Sequence, residues 1–211
     1  MKYLKMLGLA AFAAMALMAI GAGTASATKL CEENKETGCA SHVLNGSTLS
    51  FTSEGITTLT NAFGGVVAEC KHSLVEGPTT TTGSATETVK GNISKLQFNE
   101  CNHPVTTKNT EGKEALGTLE VHKIAGTKNG TVTSTGTTVT IDESPFGTCH
   151  FLTNNTDIGT LRGKDDASNT TPGTPTFLIK ASIPSENCGF NGTWEGSYKY
   201  TGATPFNVSE S

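Results

Sequence analysis

Arginine is almost missing from this 211-residue chain, in which Arg162 is the only one. Lysine does not make up for it: 15 basic residues stand against 19 acidic ones, and charged residues amount to 16%. Phosphate backbones and anionic lipid reward clustered Lys and Arg, so nucleic acid is not an expected partner. Aromatic residues are also scarce, at 6%, with Trp194 the only tryptophan. Past residue 27 no run is long and apolar enough to span a bilayer, which takes roughly 20 residues. Residues 206–211 carry no apolar tail for anchoring. No membrane span is therefore expected in residues 28–211. Nowhere past the same point do apolar residues recur at i, i+3, i+4 and i+7 for more than a turn. A Gly-x-Ser-x-Gly elbow, a phosphate loop and a dinucleotide fingerprint are all lacking.

What is present begins with a leader. Lys2 and Lys5 precede an almost purely apolar stretch, residues 7–20, which falls short of a stable span. Small residues follow and end in Ala25-Ser26-Ala27, a motif that suits a signal peptidase. The expected organisation is a signal peptide over residues 1–27, cleaved after Ala27, and one secreted domain over 28–211. Loss of Lys2 and Lys5 leaves 13 basic against 19 acidic residues, a formal charge of −6. The Thr28-Lys29-Leu30-Cys31 segment lacks the small residue a lipid-attachment box has before its cysteine.

Threonine is the commonest residue, ahead of the 24 glycines. Its branched Cβ suits a pleated strand and its hydroxyl suits a wet face. Short alternating segments separated by turn residues recur along the chain, the pattern of an all-β domain. Residues 47–52 and 56–60 read as a hairpin around Ser53-Glu54-Gly55. Residues 119–124 and 131–135 form the clearest pair, joined through Gly126 and the turn-forming Asn129-Gly130. Near the end of the chain Trp194, Tyr198 and Tyr200 share one strand face. The expected fold is an antiparallel two-layer β-sandwich, Ig-like or jelly-roll-like, stapled by disulfides, with helix only in the signal peptide.

All six cysteines lie past the leader, and an even number in an exported chain signals three disulfides. Six cysteines admit many connectivities. Pairing in chain order, Cys31 with Cys39, Cys70 with Cys101 and Cys149 with Cys188, lets each bridge bracket a hairpin or a pair of neighbouring strands. The two larger loops would each contribute on the order of 3 to 4 kcal/mol.

Candidate chemistry is sparse. Cys70 and His72, Cys101 and His103, and Cys149 and His150 bring thiol and imidazole close together, but the spacing matches no structural zinc pattern, and exported cysteines oxidise. Neither metal nor cofactor is expected. His42 and His122 add further bases without an accompanying nucleophile motif. Asp142-Glu143 and Asp165-Asp166 are adjacent acids, which point to opposite faces of a strand and so read as solvated or weakly calcium-binding loops and not as a glycosidase pair. No catalytic residue is assigned. Trp194, Tyr198 and Tyr200 are candidate ligand contacts, as a sugar-stacking platform or, alternatively, as core. Seven Asn-x-Ser/Thr sequons begin at Asn45, Asn92, Asn129, Asn154, Asn169, Asn191 and Asn207.

Several segments resemble a group of exported, β-rich proteins without a known activity, present in many copies in some high-GC Gram-positive (actinobacterial) bacteria. They are the leader's opening Met1-Lys2-Tyr3-Leu4-Lys5 and its Ala-Ser-Ala close, Leu30-Cys31, Leu96-Gln97-Phe98-Asn99-Glu100-Cys101, Asn129-Gly130-Thr131-Val132-Thr133, and the stretch from Trp194 to Thr204-Pro205-Phe206. The resemblance implies bacterial export and unglycosylated sequons, and it carries no activity or substrate. The leading expectation is a non-enzymatic extracellular or envelope-associated surface protein. Alternatives are a module binding an extracellular protein or glycan through Trp194, Tyr198 and Tyr200 or the loops near Asp142 and Asp165, and an extracellular hydrolase with His72, His103 or His150 beside a carboxylate in a pocket.

Overall fold

The computed structural model describes residues 27–108, 115–142 and 147–211. These form fifteen strands and no helix; the expected leader helix falls on residues outside the described ones. In chain order the strands are β1 (Thr28–Cys31), β2 (Thr48–Ser53), β3 (Thr57–Thr60), β4 (Val66–Ser84), β5 (Glu87–Asn92), β6 (Lys95–Cys101), β7 (Val105–Lys108), β8 (Thr118–Lys123), β9 (Gly130–Thr135), β10 (Thr138–Asp142), β11 (Thr148–Leu152), β12 (Thr156–Arg162), β13 (Thr176–Pro184), β14 (Asn191–Tyr200) and β15 (Asn207–Glu210).

The protein is all-β and antiparallel, but its main sheet closes on itself instead of facing a second sheet. The ring runs β13-β12-β9-β8-β5-β4-β2-β14, and β14 pairs back onto β13 from Thr176↔Lys199 to Pro184↔Asn191. Eight strands make a barrel just wide enough to be filled by side chains or to hold one small ligand. Closure needs strands that bend. Register shifts between Thr79 and Thr81 on β4 and between Asp157 and Gly159 on β12 supply bulges that increase local coiling. The two-layer sandwich is corrected to a barrel on these pairings.

The expected hairpin of residues 47–60 is also revised. β2 and β3 run the same way, one after the other, in the gap between β4 and β14: Phe51 opposes Val75 and Tyr200, whereas Leu59 opposes Ala68 and Trp194. Glu54-Gly55-Ile56 interrupts a single path, where Ser53 Oγ at the end of β2 accepts the Ser73 amide and the Glu54 N–H donates to Ser197 O. β8 and β9 pair from Thr118↔Thr135 to Lys123↔Gly130. Their turn bends at Gly126, which has φ +70°, whereas Gly130 already lies in the strand.

The 19-residue β4 is the spine of the molecule. Its second half pairs with β5 in the barrel wall, while its first half pairs with β6 and β3. Where β5 gives way to β6 the chain presses against Gly77, at which an added Cβ would lie 1.8 Å from Asn92 O. A three-stranded sheet, β7-β10-β11, covers that end of the barrel; Thr107 Oγ1 donates to Leu96 O and Phe151 bridges to Ser185. The other end is covered by the β1–β15 ribbon, where the Lys123 amide donates to Thr28 Oγ1 and Leu30, Phe206 and Val208 are buried in the barrel core.

Two adjoining apolar clusters result. One fills the barrel, and the other packs Leu59, Val67, Ile141, Phe151 and Trp194 beneath the covering sheet. Phe98, Val139, Ile179 and Ile183 pack against both. Disulfides tie these parts together: Cys31–Cys39 beside β1, Cys70–Cys101 directly across β4 and β6, and Cys149–Cys188 from β11 to the β13–β14 connection. Charged pairs such as Lys90–Glu120 and Lys180–Glu195 sit on the outer wall. Apolar inside and charged outside is the inverse of a lipid-embedded barrel. No helix among the described residues is long and apolar enough to cross a membrane.

Candidate functional site

The three C-terminal aromatics face inward. Trp194, Tyr198 and Tyr200 are 6%, 1% and 8% exposed, because alternate residues of β14 point into the barrel. A sugar-stacking platform open to solvent is therefore not formed by these rings. Trp194 packs edge-on against Phe98 with centroids 4.9 Å apart, and Tyr200 packs between Phe51 and Phe206. A polar chain runs through the apolar surroundings: Trp194 Nε1 donates to Tyr198 Oη at 3.3 Å, and Tyr198 Oη donates to Ser73 Oγ at 3.0 Å. Burial pushes the Tyr198 hydroxyl above its ordinary pKa, against the smaller opposing pull of bonds to Ser73, Trp194 and Thr57.

Trp194 and Tyr198 line a chamber of about 80 Å³ where the barrel meets its covering sheet. A second chamber of about 60 Å³ lies deeper in the barrel. Val75, Ile93, Leu119 and Phe177 line both, so the two adjoin. The first is almost wholly apolar apart from three hydroxyls, each two residues from an apolar neighbour on the same face: Ser134 from Val132, Thr137 from Val139 and Thr153 from Phe151. Ser134 Oγ lies 3.0 Å from Thr137 Oγ1 and 2.9 Å from Thr153 Oγ1, all three buried. The Thr137 amide donates to Thr153 Oγ1 at 3.0 Å. The short turn from β9 to β10 and the end of β11 bring them together. Left empty, 80 Å³ costs about 2 kcal/mol relative to a filled core.

The other candidates are scattered over the surface. His72 Nε2 lies 3.5 Å from Glu100, which also pairs with Lys71, and all three side chains are exposed. His122 lies 3.9 Å from Glu120 on the outer wall. His150 Nδ1 is 3.0 Å from Thr140 Oγ1. Neither chamber is lined by His42, His72, His103, His122 or His150. The cysteines beside His72, His103 and His150 are held in disulfides, so their sulfurs are not thiolate ligands, and the described residues contain no His/Cys/Asp/Glu metal cluster.

Asp142 ends β10 exposed, and its neighbour Glu143 lies outside the described residues. Asp165 and Asp166 belong to a stapled loop. Asn207 Nδ2 donates to Asp165 Oδ2 at 2.7 Å, and Asn129 Nδ2 donates to Asp166 Oδ2 at 2.5 Å. Burial raises the Asp166 pKa, but bonds from Asn129 and Ser168 and the Arg162 charge outweigh it and hold the group below its ordinary value. Asn129 and Asn207 thus serve as internal clamps, with amides engaged in ways a sugar would break.

No protein-family model, no curated protein and no solved structure matches this chain.

Proposed function

We propose that this chain is exported and works outside the cytoplasm as a non-enzymatic secreted or envelope-associated barrel. The pairing of all six cysteines in disulfides carries this reading, since such bonds persist in oxidising compartments. The position of the first strand supports it. β1 begins at Thr28, directly after Ala25-Ser26-Ala27, so cleavage there leaves all fifteen strands intact. The test is expression of the full chain with its own leader in a Gram-positive host. Recovery from medium or envelope with Thr28 as the first residue is the expected result. Cytoplasmic retention with residues 1–27 attached and free thiols would refute the proposal.

A second reading, a protein-binding module, is favoured by Phe63. It is 95% exposed at the β3–β4 turn, near Val66 at 53%. Asn61 Oδ1 accepts the Phe63 and Gly65 amides, both at 2.9 Å, so the turn is rigid without help from the ring it displays. Pull-down from secreted and envelope fractions tests this reading: a partner captured by the native protein and lost with Phe63→Ser supports it, and capture unaffected by the substitution counts against it.

A further inference from the structure

We propose that the paired interior chambers form a binding site for a small neutral amphiphile. Its hydroxyl or carbonyl meets Ser134, Thr137 and Thr153, and its short chain runs past Val75, Ile93, Leu119 and Phe177 into the second chamber. The site is independent of where the protein is delivered.

Size sets the first condition. Neither chamber reaches the roughly 150 Å³ of an apolar cavity that takes up benzene. A ring system is too wide, whereas a thin chain of on the order of six carbons can lie across both. Polarity sets the second. The lining of the first chamber is apolar except for the hydroxyl triad and the Trp194–Tyr198 pair, and includes no charged side chain; Glu76 and Lys90 border the second chamber, where the half-exposed Lys90 ammonium is turned to Glu120 on the outer wall. An ionised carboxylate placed against the triad in the first chamber would be stripped of water with no cation beside it, which is far costlier than burying a neutral group.

The triad has capacity to spare. Each hydroxyl carries one donor and two acceptor lone pairs. Ser134 Oγ contacts only the two threonine hydroxyls, so these protons can turn toward a guest without leaving a backbone group unpaired. Thr153 differs, because it accepts the Thr137 amide. Ser134 and Thr137 are therefore the positions at which the anchor can be removed most gently.

The experiment titrates the oxidised protein with 1-hexanol, hexane and hexanoate at neutral pH, followed through methyl NMR shifts. Hexanol is expected to give saturable shifts at Ile93, Leu119 and Ile158, with ionised hexanoate giving none. Ser134→Ala and Thr137→Val should each weaken hexanol by about fivefold, the worth of one hydrogen bond, while leaving hexane unchanged. Absence of saturable hexanol shifts in the unaltered protein would overturn the proposal. So would equal weakening of hexanol and hexane by both variants, which would mark the chambers as an indifferent void. Should either variant fail to fold, the hexanol and hexanoate comparison stands alone, and equal binding of the two would be contrary to the proposal.

Discussion

Tyr198 shows how one side chain can join packing to polarity. Its ring fills the barrel while its hydroxyl links Trp194 Nε1 to Ser73 Oγ. Tyr198→Phe keeps the ring and leaves the indole N–H without its acceptor, at an expected cost of about 1 to 2 kcal/mol in denaturant unfolding. The raised pKa sets a direction with pH. The unfolded chain releases this proton near pH 10 while the folded protein holds it. Stability from this group is fully present below about pH 10 and is lost as pH climbs beyond it. Unfolding curves should weaken above that point, and less steeply in Tyr198→Phe. That Trp194, Tyr198 and Tyr200 share a face is legible from their even spacing. That the face is interior is not, because alternation fixes a side and not what covers it. Alternation with Val132, Val139 and Phe151 also turns Ser134, Thr137 and Thr153 inward, but that the three hydroxyls meet depends on how β9, β10 and β11 are brought together, which no local pattern shows.

Close backbone contacts separate replaceable glycines from irreplaceable ones, within strands as well as at turns. At Gly77 an added Cβ meets a backbone carbonyl that cannot retreat without parting β4 from the β5–β6 connection. Gly77→Ala is expected to cost more than about 3 kcal/mol by thermal or denaturant unfolding. Gly126 has φ +70° with nothing within 4 Å, so Gly126→Ala should cost only about 1 kcal/mol of backbone strain. Phe63→Ser should leave stability within about 0.5 kcal/mol, because Asn61 holds the turn and the ring packs on nothing. Local pairings such as β8 with β9 can be read from alternation around a short connection. The run of β2 into β3 cannot, since a hairpin and an interrupted strand share the same turn residues and differ only in which distant strands lie alongside.

The described residues form one ring of strands, capped at one end by the β1–β15 ribbon and at the other by β7-β10-β11, with disulfides crossing the joints. Cys70–Cys101 closes a 31-residue separation. Replacing both cysteines with alanine should lower stability by on the order of 3 to 4 kcal/mol in the chain-entropy account. A midpoint unmoved from the native protein's would show that the strands alone supply the constraint. All-β character and antiparallel pairing follow from the short alternating segments, but closure depends on the seams between β9 and β12 and between β13 and β14, which no local residue announces. A sandwich and a barrel share the same list of strands; bulges and long-range pairing decide between them. The most direct test is a set of cross-strand backbone NOEs from the oxidised protein. The barrel requires contacts at all eight seams in one species, among them Thr131 with Thr160, Thr160 with Leu178, and Leu178 with Ser197. A spectrum in which one of the eight seams is silent while its neighbours remain paired would contradict the closed ring.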